Sequence, residues 1–117
     1  MTMKPDSVVL VVEDEEDSRE SLRELLELEG YMVQTAVNGK EALERLDALE
    51  PCVMLLDLCM PVMDGWQMLD QLRSDGRLGR FNIVITTSAA YKAPPGHLVF
   101  EKPLDLNKLM RAVAAVC

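Results

Sequence analysis

Val53-Met54-Leu55-Leu56-Asp57 decides the reading of the fold: an unbroken aliphatic run that stops at a carboxylate. Short runs of this kind read as strands buried on both faces, the pattern of a parallel sheet. Working outward, the same arrangement recurs. Val8-Val9-Leu10-Val11-Val12 leads into Glu13 and Asp14, Ile83-Val84-Ile85-Thr86 into Thr87 and Ser88, and Leu98-Val99-Phe100 is soon followed by Lys102-Pro103. If the sheet is parallel, all these ends lie on one edge, and open α/β sheets bind ligands in the crevice beyond the carboxyl ends of their strands. Three carboxylates, a hydroxyl and an ammonium are therefore expected to meet in one small site.

The chain has 117 residues, 49% of them hydrophobic and only 4% aromatic, so it can form one domain with an aliphatic core in which eight methionines act as adaptable filler. A net charge of −8 opposes binding to nucleic acid or to anionic membranes through general electrostatics. No run approaches the roughly 20 apolar residues of a transmembrane helix. The start, Met1-Thr2-Met3-Lys4-Pro5-Asp6, lacks an apolar signal core, which points to the cytoplasm. Cys52 and Cys59 bracket a strand and should stand roughly 23 Å apart at about 3.3 Å per residue, too far to bridge. Their spacing also fails zinc patterns. Cys52, Cys59 and Cys117 are accordingly expected to be reduced and small rather than redox-active or metal-bound.

Between the strands lie helical patterns. Leu22, Leu25, Leu26 and Glu29 recur at helical spacing, with Gly30 as a stop. A second strand covers about Tyr31–Ala36. Asn38 with Glu41 three residues on opens a helix that places Ala42, Leu43, Leu46 and Leu49 inward and ends before Pro51. The third strand is about Cys52–Leu56, and a third helix carries Met68, Leu69 and Leu72 inward before dissolving in Gly76–Gly79. The fourth strand is about Asn82–Thr87. The last helix starts at Asp105 with Leu106, Leu109, Met110, Val113 and Val116 on one face. Alternating strands and helices imply right-handed βαβ units. One crossover is abnormal: Ala90-Tyr91-Lys92-Ala93-Pro94-Pro95-Gly96 is too short and too rich in proline for a helix of ordinary length.

Glu13, Asp14 and Asp57 make a hard oxygen site suited to a small divalent cation, Mg²⁺ above all. Without a cation, clustered carboxylates raise each other's pKa. A carboxylate beside a cation can attack phosphorus and become an aspartyl phosphate. The charge on the transferring oxygens is then met by an ammonium and a hydroxyl, here Lys102 and Thr87. Each residue alone also has a plainer reading. Asp14 can cap a helix, Asp57 can start a turn, and Thr87 is a natural strand residue.

Val11-Val12-Glu13-Asp14-Glu15, Leu55 through Gly65 with Asp57, Met60-Pro61 and Asp64-Gly65, Val84-Ile85-Thr86-Thr87-Ser88, and Lys102-Pro103-Leu104-Asp105 come in one order along nearly the whole chain. Together they resemble a response-regulator receiver domain of two-component signalling, of the chemotaxis-regulator kind. The resemblance implies a doubly wound α/β fold with five parallel strands in the flavodoxin-like order 2-1-3-4-5, here with a shortened or missing fourth helix. It implies that Asp57 accepts a phosphoryl group from a histidine kinase or histidine phosphotransfer protein. Asp14 would bind Mg²⁺ directly, Glu13 would assist, and the Cys59 backbone carbonyl would be a further ligand. Thr87 and Lys102 would hold the phosphoryl oxygens, and Pro103 would follow a cis bond. A downstream protein would read the change, and the expected enzymology is limited to self-phosphotransfer and autodephosphorylation. The last helix ends at Cys117, so a single receiver with no output domain is expected, acting alone through protein contacts or as an excised receiver.

The sequence also departs from that pattern. The aromatic usual three residues before the motif lysine is replaced by Val99, and Phe100, one step on, points to the opposite face. Cys59 and Ala89 are small, so no side chain is expected to orient a hydrolytic water. Phosphorylation is expected to act most on residues 88–96 and little on 103–117. Trp66, which opens a helix near the same edge, reads as packing rather than partner contact, and His97 has no assigned role. The alternatives are a pseudo-receiver acting as a constitutive interaction module, a small aspartyl-phosphate phosphatase, and a flavin or nucleotide binder. The second lacks an acid two residues after Asp57, and the third would meet repulsion from Glu13-Asp14-Glu15-Glu16-Asp17.

Overall fold

In a computed structural model that describes residues 8–117, every apolar run becomes a strand. The order is β1 (Val8–Val12), α1 (Glu16–Leu28), β2 (Met32–Ala36), α2 (Gly39–Leu46), β3 (Val53–Asp57), α3 (Gly65–Ser74), β4 (Ile83–Thr87), β5 (Leu98–Glu101) and α4 (Leu106–Val116). All strand pairs are parallel, and the sheet order is β2-β1-β3-β4-β5. Register aligns Val12 with Leu56, Asp57 with Thr86 and Thr87 with Glu101, so the polar run ends stand level along one edge. The leading segment read above for a signal core lies outside the described residues.

Alternation within the strands builds two cores from one sheet. Leu10, Val12, Met54, Leu56 and Ile85 face α2 and α3, meeting Ala42, Leu46, Met68, Leu69 and Leu72. Val9, Val11, Val53, Leu55 and Val84 face α1 and α4, meeting Leu22, Leu26, Leu109 and Val113. The central strands β3 and β4 are buried along their whole length, whereas the edge strand β2 alternates exposed and covered positions. Among the described residues no helix is long and apolar enough to cross a membrane.

Several boundaries move. α2 ends at Leu46, short of Leu49, and the chain turns through Ala48 and Leu49, whose amides both donate to the Arg45 carbonyl. Pro51 drives Glu50 out of helical conformation, and the preceding turn is spent redirecting the chain towards β3. Glu29 is the C-cap of α1 rather than part of its buried row. Only Leu109 and Val113 of α4 are fully buried; Leu106 and Val116 are exposed. Between β4 and β5 there is one 3₁₀ turn, Ala90–Lys92, then extended chain at Ala93 and a turn at Pro95–Gly96, where the Gly96 φ of 92° needs glycine.

The cysteines depart from expectation. Cys52 and Cys117 form a disulfide with their Cα atoms 5.3 Å apart, while Cys59 is free and exposed. The spacing argument weighed Cys52 against Cys59, and that pair is indeed unbridged. It could not place Cys117. A helix that follows a parallel strand runs back along the sheet, so the end of α4 returns to the edge where the strands begin, and Cys52 immediately precedes β3.

Candidate functional site

The loop after β1 is fixed before its side chains are considered. The Glu13 amide donates to the Ala36 carbonyl at 3.0 Å, extending the β1–β2 ladder by one residue. The Arg19 guanidinium, one turn into α1, donates to the carbonyls of both Glu13 and Asp14 at 3.2 Å. The N-cap of α1 is Glu15, without a side-chain capping bond, so Asp14 does not spend its carboxylate on the helix. Glu13 is buried and Asp14 exposed.

The loop after β3 is held at several points. An Asp57 carboxylate oxygen accepts the Cys59 amide at 3.4 Å, and the Leu58 carbonyl accepts the Gly65 amide at 2.9 Å. A Cβ on Gly65 would lie 2.8 Å from the Asp57 carbonyl and the Leu58 Cα, so only glycine lets α3 start this close to the acidic site. Asp64 and Gln67 form a reciprocal capping box that starts α3 at the next residue. Just before Asp64, the Met63 amide bonds back to the Pro61 carbonyl across Val62, whose φ is 67°, the strained form of a three-residue turn. That turn aims the Met63 carbonyl at the Gly39 amide, 2.8 Å away, and ties the loop to the start of α2.

Thr87 ends β4, fully buried, and its hydroxyl oxygen accepts the Ala89 amide at 3.1 Å. Its carbonyl accepts the Lys102 amide at 2.8 Å, which sets the chain just past β5 beside it. Lys102 precedes a cis bond to Pro103, as expected. Its ammonium reaches across the sheet edge to Glu13 Oε1 at 2.6 Å and Asp57 Oδ2 at 3.7 Å. Glu13, Asp14 and Asp57 each bring a carboxylate oxygen within 4.8 Å of the others. The expected acids and Lys102 therefore converge, with Thr87 one residue past the Asp57–Thr86 register pair. The Cys59 side chain is exposed, and it is the backbone of that residue that turns at the site.

These contacts set the protonation of the cluster. Burial, then the hydrogen bond and the charge of Glu13, push the Asp57 carboxyl up to about 7. Burial acts upward on Glu13 too, but the hydrogen bond from Asp57 and the Lys102 ammonium outweigh it and hold Glu13 below the usual carboxylate range. Lys102 is raised because its acidic partners overcome the effect of burial. Ionising both buried acids at once is thus costly, and Asp57 is the one pushed up. An all-oxygen cluster of this kind can hold a hard divalent cation that offsets the cost.

Sequence reading missed three features of the surroundings. Arg19 acts through backbone carbonyls, which leave no residue pattern, although its spacing from Asp14 places it one helical turn away. The Trp66 indole donates to the Lys92 carbonyl at 3.0 Å, joining α3 to the short β4–β5 crossover. The disulfide joins segments that only the tertiary fold brings together.

Comparison with known proteins agrees with this architecture. An uncharacterised 14.6 kDa protein from Leptolyngbya boryana is 43% identical over 116 residues, covering 93% of this chain and 88% of that protein. The response regulator MprA of Mycobacterium ulcerans is 46% identical over 68 residues, 58% of this chain. The matched region is only 29% of the length of MprA. Among solved structures, the response regulator TrrA of Thermotoga maritima, in complex with Mg²⁺-BeF, superposes with a TM-score of 0.82 at 28% identity, covering 95% of this chain and 99% of that one. A sensor protein from Polaromonas superposes with a TM-score of 0.83 at 26% identity, covering 94% of each chain. Residues 9–114 match the response regulator receiver domain, and this chain belongs to that family.

Proposed function

We propose that the chain is a phosphorylation-dependent switch that takes a phosphoryl group onto Asp57 from the phosphohistidine of a histidine kinase or histidine phosphotransfer protein, with Mg²⁺, and passes the signal to a downstream protein. The observation that carries this reading is the convergence of Glu13, Asp14, Asp57 and Lys102 at one sheet edge. An Asp57 oxygen forms the new bond to phosphorus as the phosphorus–nitrogen bond to imidazole breaks, and the leaving imidazole keeps the electron pair. Asp57 must be ionised to attack, which burial beside Glu13 resists until a cation stands next to it. Glu13, Asp14 and Asp57, with the Cys59 carbonyl, would hold Mg²⁺, which supplies charge neutralisation for both the carboxylates and the incoming phosphoryl group. Lys102 then exchanges part of its contact with Glu13 for a phosphoryl oxygen, and the Thr87 hydroxyl donates to another.

Beside Lys102, a cleft of about 430 Å³ lies between α1 and the start of α4, lined by Asp17, Ser18, Ser21, Leu22 and Leu106. It lets a donor's histidine approach the acidic edge. The same reading places the protein in the cytoplasm.

The test is incubation with Mg²⁺ and a small acyl phosphate, followed by intact mass. Wild type should gain one hydroxylamine-sensitive phosphoryl adduct, and Asp57→Asn should gain none. Asp14→Ala should lose the Mg²⁺ dependence. Equal labelling of the Asn variant would overturn the assignment of Asp57.

A further inference from the structure

We infer that Trp66 is the positioning residue that couples the phosphoryl site to the short β4–β5 crossover, an inference that rests on the reading of Asp57 and Thr87 above. An unbroken path of hydrogen bonds carries it. The Thr87 hydroxyl oxygen accepts the Ala89 amide at 3.1 Å, the Ala89 carbonyl accepts the Lys92 amide at 2.9 Å, and the Lys92 carbonyl accepts the Trp66 indole N–H at 3.0 Å. Trp66 itself cannot drift from the acidic loop. It occupies the first turn of α3, directly after Gly65, whose amide is bonded to Leu58 and whose Cα packs on the Asp57 backbone. One end of the path is therefore fixed to the acceptor loop and the other to the hydroxyl.

The crossover has few other ties. It holds one 3₁₀ turn and no α-helix, and Tyr91 and Lys92 are exposed. Trp66, Ala93 and Val99 pack against the same core on the α2–α3 face of the sheet. Val99 is a small neighbour there, and Phe100 packs on the opposite face. The aromatic side chain that hydrogen-bonds to the crossover on this face comes from α3. When Thr87 turns its hydroxyl to a group on Asp57, the acceptor of the Ala89 amide moves, the 3₁₀ turn shifts with it, and the Lys92 carbonyl leaves the indole. Phosphorylation is read out as release of the Ala90–Lys92 turn from Trp66.

The experiment uses the full chain with Mg²⁺ and beryllofluoride, followed by amide and indole resonances. The chain holds one tryptophan, so the single indole N–H signal reports this contact directly. Beryllofluoride should shift that signal together with the amides of Ala89 to Ala93. Trp66→Phe keeps an aromatic ring in the packing but removes the donor. It should speed exchange of the Lys92 and Ala93 amides roughly fivefold without beryllofluoride, the size expected for one lost hydrogen bond, while exchange in β5 and the rest of α3 stays unchanged. It should also still form the Asp57 adduct. A merely structural role for Trp66 would loosen α3 and β5 as well and overturn the inference. So would an indole signal that stays still while Cys59 and Thr87 amides respond. Silence at Cys59 and Thr87 too would overturn the underlying reading of the phosphoryl site, and this inference with it.

Discussion

At the level of single side chains, the energetic cost of the site is concentrated on Asp57. Its carboxyl titrates at about 7 in the folded chain, against 3.8 for an ordinary aspartate, because it is buried beside Glu13. Between those values the folded chain binds more protons than the unfolded one, so stability falls as pH rises from about 4 to about 7. Asp57→Asn removes the charge that causes this. It should melt several degrees above wild type at pH 8, and the gap should close towards pH 4; a gap independent of pH would place the origin elsewhere. Saturating Mg²⁺ should raise the wild-type melting point at pH 8 and leave that of the Asn variant nearly unchanged. Gly65 is a second pressure point. Its absent Cβ would sit 2.8 Å from backbone atoms that cannot move without moving Asp57. Gly65→Ala is expected to cost about 1–3 kcal/mol in chemical denaturation and to impair adduct formation, which a purely local packing defect would spare.

At the level of elements, α4 is attached in two ways that can be separated. Leu109 and Val113 anchor its middle in the core, and the Cys52–Cys117 disulfide anchors its end. Reduction should therefore raise hydrogen exchange most in the last turn, residues 114–117, above the uniform acceleration that lower global stability gives core amides such as those around Leu109; excess fraying along the whole helix would show that its apolar row does not hold it alone. The strands and the site acids were legible in the sequence because a parallel sheet announces itself by unbroken aliphatic runs and levels their ends. The missing helix between β4 and β5 was legible from Pro94-Pro95-Gly96. The end of α2 was not, because the effect of Pro51 travels back through the chain by way of the turn at Ala48 and Leu49. Nor was the exposure of Leu106 and Val116: helical periodicity gives a face, while the length of sheet beneath it decides how much of that face is covered. Arg19 and Trp66 escaped because each recognises a main-chain carbonyl, which any residue can supply.

For the molecule as a whole, the disulfide separates two forms of one fold. Its residues are 65 apart in sequence, and closing a loop of that length stabilises by about 4 kcal/mol in the chain-entropy account. The reduced form should unfold at correspondingly lower denaturant, with the acidic site intact in both. In a cytoplasm, glutathione and thioredoxin keep such thiols open, so alkylation at the moment of lysis should mark all three cysteines. The same protein left in air should show only Cys59 marked; one marked cysteine in fresh lysate would put the oxidised form in the cell. The bond also divides the site by covalent topology. Asp57, Thr87 and Lys102 lie within the closed ring, while Glu13 and Asp14 lie on the tail outside it. Stretched between its first residue and Cys117, the oxidised chain could surrender only the tail, roughly 175 Å at about 3.4 Å per residue, where the reduced chain would yield about 400 Å. Force would strip the metal-side acids from the oxidised protein and leave the acceptor, the hydroxyl and the ammonium in a closed ring of chain that tension cannot reach.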